Sequence, residues 1–254
     1  MITITEILGR SEQGMTRPFL CRGDDDQLYY VKGKYAGQRS LCCEWVAGRL
    51  ARLLGLPLPE FTMCEVPMSL VTGSDRPDIR DLGAGIAFGS LRLEGAREIT
   101  WEEATNWRPE MTAMVLLFDL WVQNEDRSLS ALGGNPNLLV TAENLGDEGR
   151  PHVLQSLWIY DFNLSFDEGF DRELFWMGHI FGELLSEWPA GLIDEMVPHM
   201  RDALARLPEI FSELPLEWLH VDGDESLPVQ FDQDHVYKTL HLPFAQPDAF
   251  WTMP

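Results

Sequence analysis

The chain has 254 residues, 45% hydrophobic and 24% charged, enough apolar material for one large core or for two lobes sharing a cleft. Nineteen Lys and Arg stand against 41 Asp and Glu, a net charge of −22. A surface this acidic repels phosphate backbones and anionic lipid heads, which argues against direct nucleic-acid binding and a membrane substrate; solubility, or attraction of a basic protein partner or Mg²⁺, remains as the reading of the charge.

Residues 1–33 read as strands: Ile2-Thr3-Ile4 alternates β-branched side chains, and 17–22 and 28–31 follow, separated by polar turns at 9–16 and 23–27. The N-terminal stretch lacks the basic and apolar regions of a signal peptide, so a cytoplasmic protein is expected. Leu41, Trp45, Leu50 and Leu53 recur at helical spacing over 40–55, with Gly55 at the expected stop and Pro57 and Pro59 beyond it. Residues 61–71 read as strand, and 86–91 as a strand or a linker between lobes. The four cysteines (21, 42, 43 and 64) form no CxxC pair and read as reduced and buried. Residues 109–123 predict a helix buried all round, 124–136 a loop, and 137–141 and 157–160 short strands. Two amphipathic helices are expected at 171–187 and 190–205. From about residue 221 the chain is acidic and less periodic, and reads as a tail packed on the surface or partly disordered.

Three groups of residues carry candidate chemistry. Phosphoryl transfer needs Mg²⁺ on hard oxygen ligands and a carboxylate that orients or deprotonates the attacking hydroxyl. Asp126, Asn137 and Asp161 supply that set in that order, each at the edge of an apolar element. Singly, each is also an ordinary turn or cap residue; the order and spacing of the three favour the functional reading. Lys32, ending a strand, with Glu44 on the next helix, matches a lysine that grips nucleotide phosphates while a carboxylate holds it extended. Lys34 points to the same strand face, and a solvated surface pair is the plain alternative. The loop 9–16, with Ser11 and Gly14, suits backbone contacts to phosphates; it matches neither GxGxxG nor a Walker loop and fits an ordinary hairpin turn as well. The six histidines show no metal-ligand spacing, and His179 and His199 read as packing or surface residues of helices. The acidic run 222–225 reads as a solvated turn rather than a Ca²⁺ loop.

Four pieces, Tyr30-Val31-Lys32, the helix of residues 44–59 with its Gly55-Leu56-Pro57-Leu58-Pro59 exit, Asn124-Glu125-Asp126-Arg127, and Asn137-Leu138-Leu139 with Ile159-Tyr160-Asp161-Phe162, give a sequence that resembles the HipA-like kinases, a bacterial branch of the protein-kinase-like fold. The resemblance implies an α+β, two-lobed fold with a mainly β N-lobe over 1–90 and a mainly helical C-lobe over 91–254. It implies ATP and Mg²⁺, with Asp126 catalytic beside the acceptor hydroxyl, Asn137 and Asp161 on Mg²⁺, and Lys32, braced by Glu44, on the α- and β-phosphates. Phe88 and Gly89 would lie at a hinge near adenine. The activity so implied is a serine/threonine protein kinase. A small-molecule or lipid-head kinase and a pseudokinase interaction module are the alternatives. In the family the metal Asn follows the Asp by about five residues; here Asn137 follows Asp126 by 137 − 126 = 11, with Asn135 also inside the added stretch.

Overall fold

The computed structural model describes residues 1–12, 15–144, 153–221 and 226–253. It is a mixed α+β structure that divides into two units: Met1–Trp45 with Pro59–Leu93 and Glu213–Phe231, and Val46–Leu58 with Glu94–Ser212 and Asp232–Pro254.

The first unit is built on β1 (Ile2–Arg10), β2 (Phe19–Gly23) and β3 (Leu28–Lys32). β1 runs on into the stretch expected to be loop, because two register shifts, between Ile4 and Glu6 and between Ile7 and Gly9, let it follow β2 as far as the Arg10–Phe19 pair. A 3₁₀ turn (Lys34–Ala36) leads into α1 (Gln38–Leu53), whose C-terminal half belongs to the second unit. β4 (Phe61–Val66), α2 (Met68–Thr72), α3 (Ile79–Leu82) and β5 (Gly85–Leu91) follow. The strand expected over 61–71 stops at Val66 because Pro67 cannot donate to a ladder and instead caps α2. The strands close into a barrel in the order β1-β2-β3-β5-β4. Parallel pairing of Ile2 and Thr3 with Cys64 and Glu65 makes the closure, which leaves no open sheet edge.

Ile4, Phe19, Cys21, Val31, Cys64 and Ala87 fill the barrel. None of the four cysteines forms a disulfide, and all are buried. Burial pushes the Cys21 and Cys64 thiols up to about 12, so they act as small apolar side chains. Gly33, directly after β3, is required by a close approach: a Cβ there would lie 2.0 Å from the Leu82 carbonyl oxygen.

The second unit begins with β6 (Arg97–Glu98) and α4 (Trp101–Thr105). α4 starts on a capping box in which Thr100 and Glu103 satisfy each other's backbone N–H groups. α5 (Pro109–Val122) has Pro109 in its first turn and ten buried side chains, as its nearly continuous apolar run requires. The expected loop 124–136 contains a hairpin of β7 (Ser128–Ser130) and β8 (Gly133–Asn135). β9 (Leu138–Asn144) and β10 (Val153–Ile159) form a sheet in the order β10-β9-β6.

α6 (Arg172–Gly178) stops well short of the helix expected over 171–187, and a 3₁₀ turn (Gly182–Leu184) replaces its second half. The backbone turns extended at His179, whose ring goes inward rather than along the helix surface. α7 (Leu192–Ala205) and α8 (Leu207–Ser212) complete this stretch. The chain then returns to the first unit for α9 (Leu216–Leu219).

The segment after 221 is not a surface tail. The run 222–225 lies outside the described residues, but α10 (Gln233–Ala245) and α11 (Pro247–Trp251) are part of the second unit, with Val236, Leu240 and Phe250 buried. Trp121 of α5 donates to the Leu240 carbonyl at 2.8 Å, and Arg172 of α6 to the Phe250 carbonyl at 2.8 Å. Among the described residues no helix is long and apolar enough to cross a membrane.

Candidate active site

In the first unit, antiparallel pairing of β3 with β5 sets Lys32 opposite Phe88 and Val31 opposite Gly89. Lys32 is 8% exposed, and its ammonium is ion-paired to Glu44 of α1, itself 2% exposed. A pair this dry fixes the lysine side chain and makes it costly to lose either partner. Lys34 lies in the 3₁₀ turn and is exposed, so β3 ends on the lysine that meets Glu44.

Phe88 and Gly89 lie in mid-strand, with both edges of β5 paired, and the Phe88 ring stacks on Phe61 at 5.5 Å. Ser11 follows β1, where its N–H donates to the Pro18 carbonyl at 2.8 Å; Gly14 lies outside the described residues.

In the second unit the three remaining residues come together through one buried arginine. α5 ends at Gln123 in the left-handed conformation, and the chain turns back through Asn124, whose N–H donates to the Asp119 carbonyl at 2.8 Å. That turn sends Arg127 under Asp126 and into the interior, where it is fully buried. Its Nε donates to Asp119 Oδ2 at 2.5 Å, its Nη2 to Asp119 Oδ1 at 3.3 Å, and its Nη1 to the carbonyls of Asn137 and, at 3.3 Å, Tyr160. Asp119, fully buried on α5, also accepts from Asn124 Nδ2 at 2.9 Å and bonds His179 Nε2 at 3.0 Å. The Phe181 N–H donates to His179 Nδ1, which places the imidazole hydrogen on Nε2, toward Asp119.

The β9–β10 register explains why Asn137 and Asp161 meet. Leu138 pairs with Ile159, so Asn137 enters the hairpin where Asp161 has just left it, and the Tyr160 N–H donates to the Asn137 carbonyl at 3.2 Å. Both residues have positive φ, +47° and +61°, a left-handed backbone that Asn and Asp tolerate better than other side chains. Asn137 Nδ2 donates to the Asp126 carboxylate Oδ2 at 3.0 Å and to its carbonyl at 3.1 Å; Asn135 Nδ2 donates to the same Oδ2 at 2.9 Å.

Burial pushes the Asp126 carboxyl above the usual carboxylate range; the two amides pull it down, and the nearby charge of Asp161 pushes it up again. Burial also drives Asp119 upward, but Arg127 and His179 outweigh it and leave Asp119 ionised below the usual range. Burial holds His179 below the usual imidazole range, against the opposing pull of Asp119.

Mg²⁺ takes hard oxygen donors and completes its shell with substrate phosphates and water. Asn137 has its Nδ2 committed to Asp126, which leaves Oδ1 as its donor atom for a cation, and Asp161, close enough to Asp126 for its charge to act there, supplies a carboxylate. That donor set fits the ion. Among the described residues no three His, Cys, Asp or Glu side chains are gathered into a group that could hold a metal ion.

Two parts of this arrangement escape a reading by motif. His179 was expected as a packing or surface residue and is instead a buried partner of Asp119. Asn135 joins Asn137 on Asp126; the one sequence signal for it was an amide inside the added stretch.

No curated protein matches this chain. Among solved structures, the crystal structure of a Helicobacter pylori proinflammatory kinase, CtkA, is similar at 10% identity with a TM-score of 0.45, over 96% of this chain and 93% of that one. A family model described as HipA-like kinase matches residues 4–254, nearly the whole sequence. The chain therefore belongs to the HipA-like kinase family.

Proposed function

We propose that this protein is an ATP- and Mg²⁺-dependent kinase that transfers the γ-phosphoryl group to a serine or threonine hydroxyl of a protein. In this reading residues 1–90 act as the nucleotide-gripping lobe and residues 91–254 as the catalytic lobe of a two-lobed kinase fold. The observation that carries the reading is the placement of Asp126 beside Asn137 and Asp161, with Arg127 tied to the carbonyls that flank both.

Bound Mg·ATP supplies the phosphoryl group and the positive charge that neutralises it. The chain's own residues position and polarise. Asp126 accepts the hydrogen bond, and then the proton, of the acceptor hydroxyl. Asn137 Oδ1 and Asp161 hold the cation. Lys32, kept extended by Glu44, contacts the phosphates. Such catalysis rests on orientation and preorganised charge, with no covalent enzyme intermediate.

The reading is tested in two steps. A nucleotide binder gains thermal stability by mass action, about 2.7 kcal/mol at a hundredfold excess over Kd. No shift in melting temperature at millimolar Mg·ATP would remove the reading altogether. Label transfer from γ-labelled ATP should then be lost in Asp126→Asn. Binding without transfer in the wild type would assign the chain to the pseudokinase alternative.

A further inference from the structure

We propose that Asn135 is an orienting residue for the catalytic carboxylate rather than a metal ligand: with Asn137 it fastens Oδ2 of Asp126, so that Oδ1 is the oxygen that takes the acceptor proton. The proposal rests on the kinase reading for its chemistry, but its geometry stands apart from it.

Two amide nitrogens, at 2.9 and 3.0 Å, land on the same carboxylate oxygen. Among the described residues Oδ1 of Asp126 accepts no hydrogen bond. An aspartate turns easily about its last bond, where the torsion is broad and nearly two-fold. A single donor would leave the two oxygens exchangeable. Two donors from different positions on one oxygen pick out a single orientation. The acceptor O–H bond then breaks toward Oδ1, the acceptor oxygen bonds the γ-phosphorus, and ADP leaves with the bridging oxygen.

The hairpin that carries Asn135 is built to deliver it. Ser128 pairs with Asn135, Leu129 with Gly134 and Ser130 with Gly133, so the chain leaves Asp126, turns, and comes back beside it. Ser128 also bridges to His179, which anchors the base of the hairpin to the partner of Asp119. The tip points away, with Leu132 fully exposed. Gly134 has φ +157°, and a Cβ on it would lie 2.5 Å from the Ser128 carbonyl oxygen, so the pairing requires glycine there. The long interval between Asp126 and Asn137 is therefore an excursion that returns an extra amide to the carboxylate.

The experiment follows Asp126 by NMR in protein labelled at the aspartate carboxyl carbon, alongside kinetics. Asn135→Ala removes one charge-stabilising hydrogen bond and should raise the Asp126 pKa by about one unit. Gly134→Ala, which displaces the hairpin without touching any polar group, should do the same. An unchanged Asp126 titration in both variants overturns the proposal, whether or not the protein turns over substrate. Where wild type transfers label from ATP to a generic serine-rich acceptor, both variants should lose kcat roughly tenfold or more at an unchanged half-saturating Mg²⁺ concentration. A raised half-saturating Mg²⁺ concentration in Asn135→Ala would make Asn135 a metal ligand and sink the idea. Absence of any transfer by wild type would instead count against the proposed function, leaving the NMR result to decide the role of Asn135.

Discussion

Asp119 is a carboxylate on the third turn of a mostly apolar helix, and its burial is offset by the bonds that Asn124, Arg127 and His179 make to it. The cluster holds a negative aspartate, a positive arginine and a neutral imidazole, which balance without solvent. His179 makes this arrangement sensitive to acid. Burial lowers its folded pKa below the unfolded value of 6.5. Above that pH neither state binds the proton and the full stability is present; as pH falls below about 6.5 the unfolded chain takes up the proton first, and stability declines until the folded imidazole also protonates. The slope attributable to one such group is at most about 1.4 kcal/mol per pH unit. His179→Gln keeps a side-chain donor toward Asp119 and removes the titration. Denaturant midpoints measured between pH 7 and 5 should therefore fall less steeply in that variant; parallel curves would show that His179 is not the acid-sensitive group. In the sequence Asp119 is visible only as an interruption of an apolar run. Its partners lie 5, 8 and 60 residues away, and the last of these distances is beyond any local pattern.

α9 shows the same lesson for whole elements. It is four residues long and far along the chain, yet Trp218 is 1% exposed in the first unit and its Nε1 donates to the Ile86 carbonyl of β5 at 2.7 Å. Glu217 accepts from the Ile86 N–H, Trp45 Nε1 donates to Glu213 Oε2 at 2.9 Å, and Cys42 Sγ lies 3.5 Å from the Trp218 carbonyl. Cys42 and Trp45 flank Glu44 on α1, so the segment holds the helix that braces Lys32. Trp218→Ala should cost about 3–5 kcal/mol in chemical unfolding. In the native state it should also open Cys42 to thiol reagents, from which burial now protects it. An unmoved midpoint together with an unreactive Cys42 would mean that α1 is held by the barrel alone. The strands of the barrel, α1, α5 and the β9–β10 hairpin could be read from alternation, helical spacing and apolar runs, because each signal is local to the element it builds. Asp126, Asn137 and Asp161 were legible for a related reason: each follows or opens an apolar element and tolerates the backbone its position demands. The short α9 and the early end of α6 were not, since contacts distant in sequence decide them; the β7–β8 hairpin pairs residues close in sequence, but its three-residue strands carry no apolar alternation to mark them.

Across the whole chain the charges cannot all be paired. Even if each of the 19 basic residues met one acid, 41 − 19 = 22 acids would remain, and two of the bases, Lys32 and Arg127, are already committed to buried pairs. The exposed pairs, such as Arg22 with Glu6 and Arg206 with Glu209, are of the kind that contributes little. Self-repulsion among the unpaired carboxylates should therefore outweigh them, and salt should stabilise the fold. Raising NaCl from about 20 to about 300 mM shortens the screening length from roughly 20 to roughly 6 Å and should raise the melting temperature. A lower melting temperature in salt would mean that surface ion pairs dominate after all. The sign matters for the nucleotide test as well. Mg²⁺ alone will screen the same acids and raise the melting temperature with no site occupied. A shift that reports binding must therefore appear with Mg·ATP over Mg²⁺ at constant ionic strength, and it should shrink in Lys32→Ala, which leaves the net charge within one unit of the wild type and so leaves the screening contribution nearly intact.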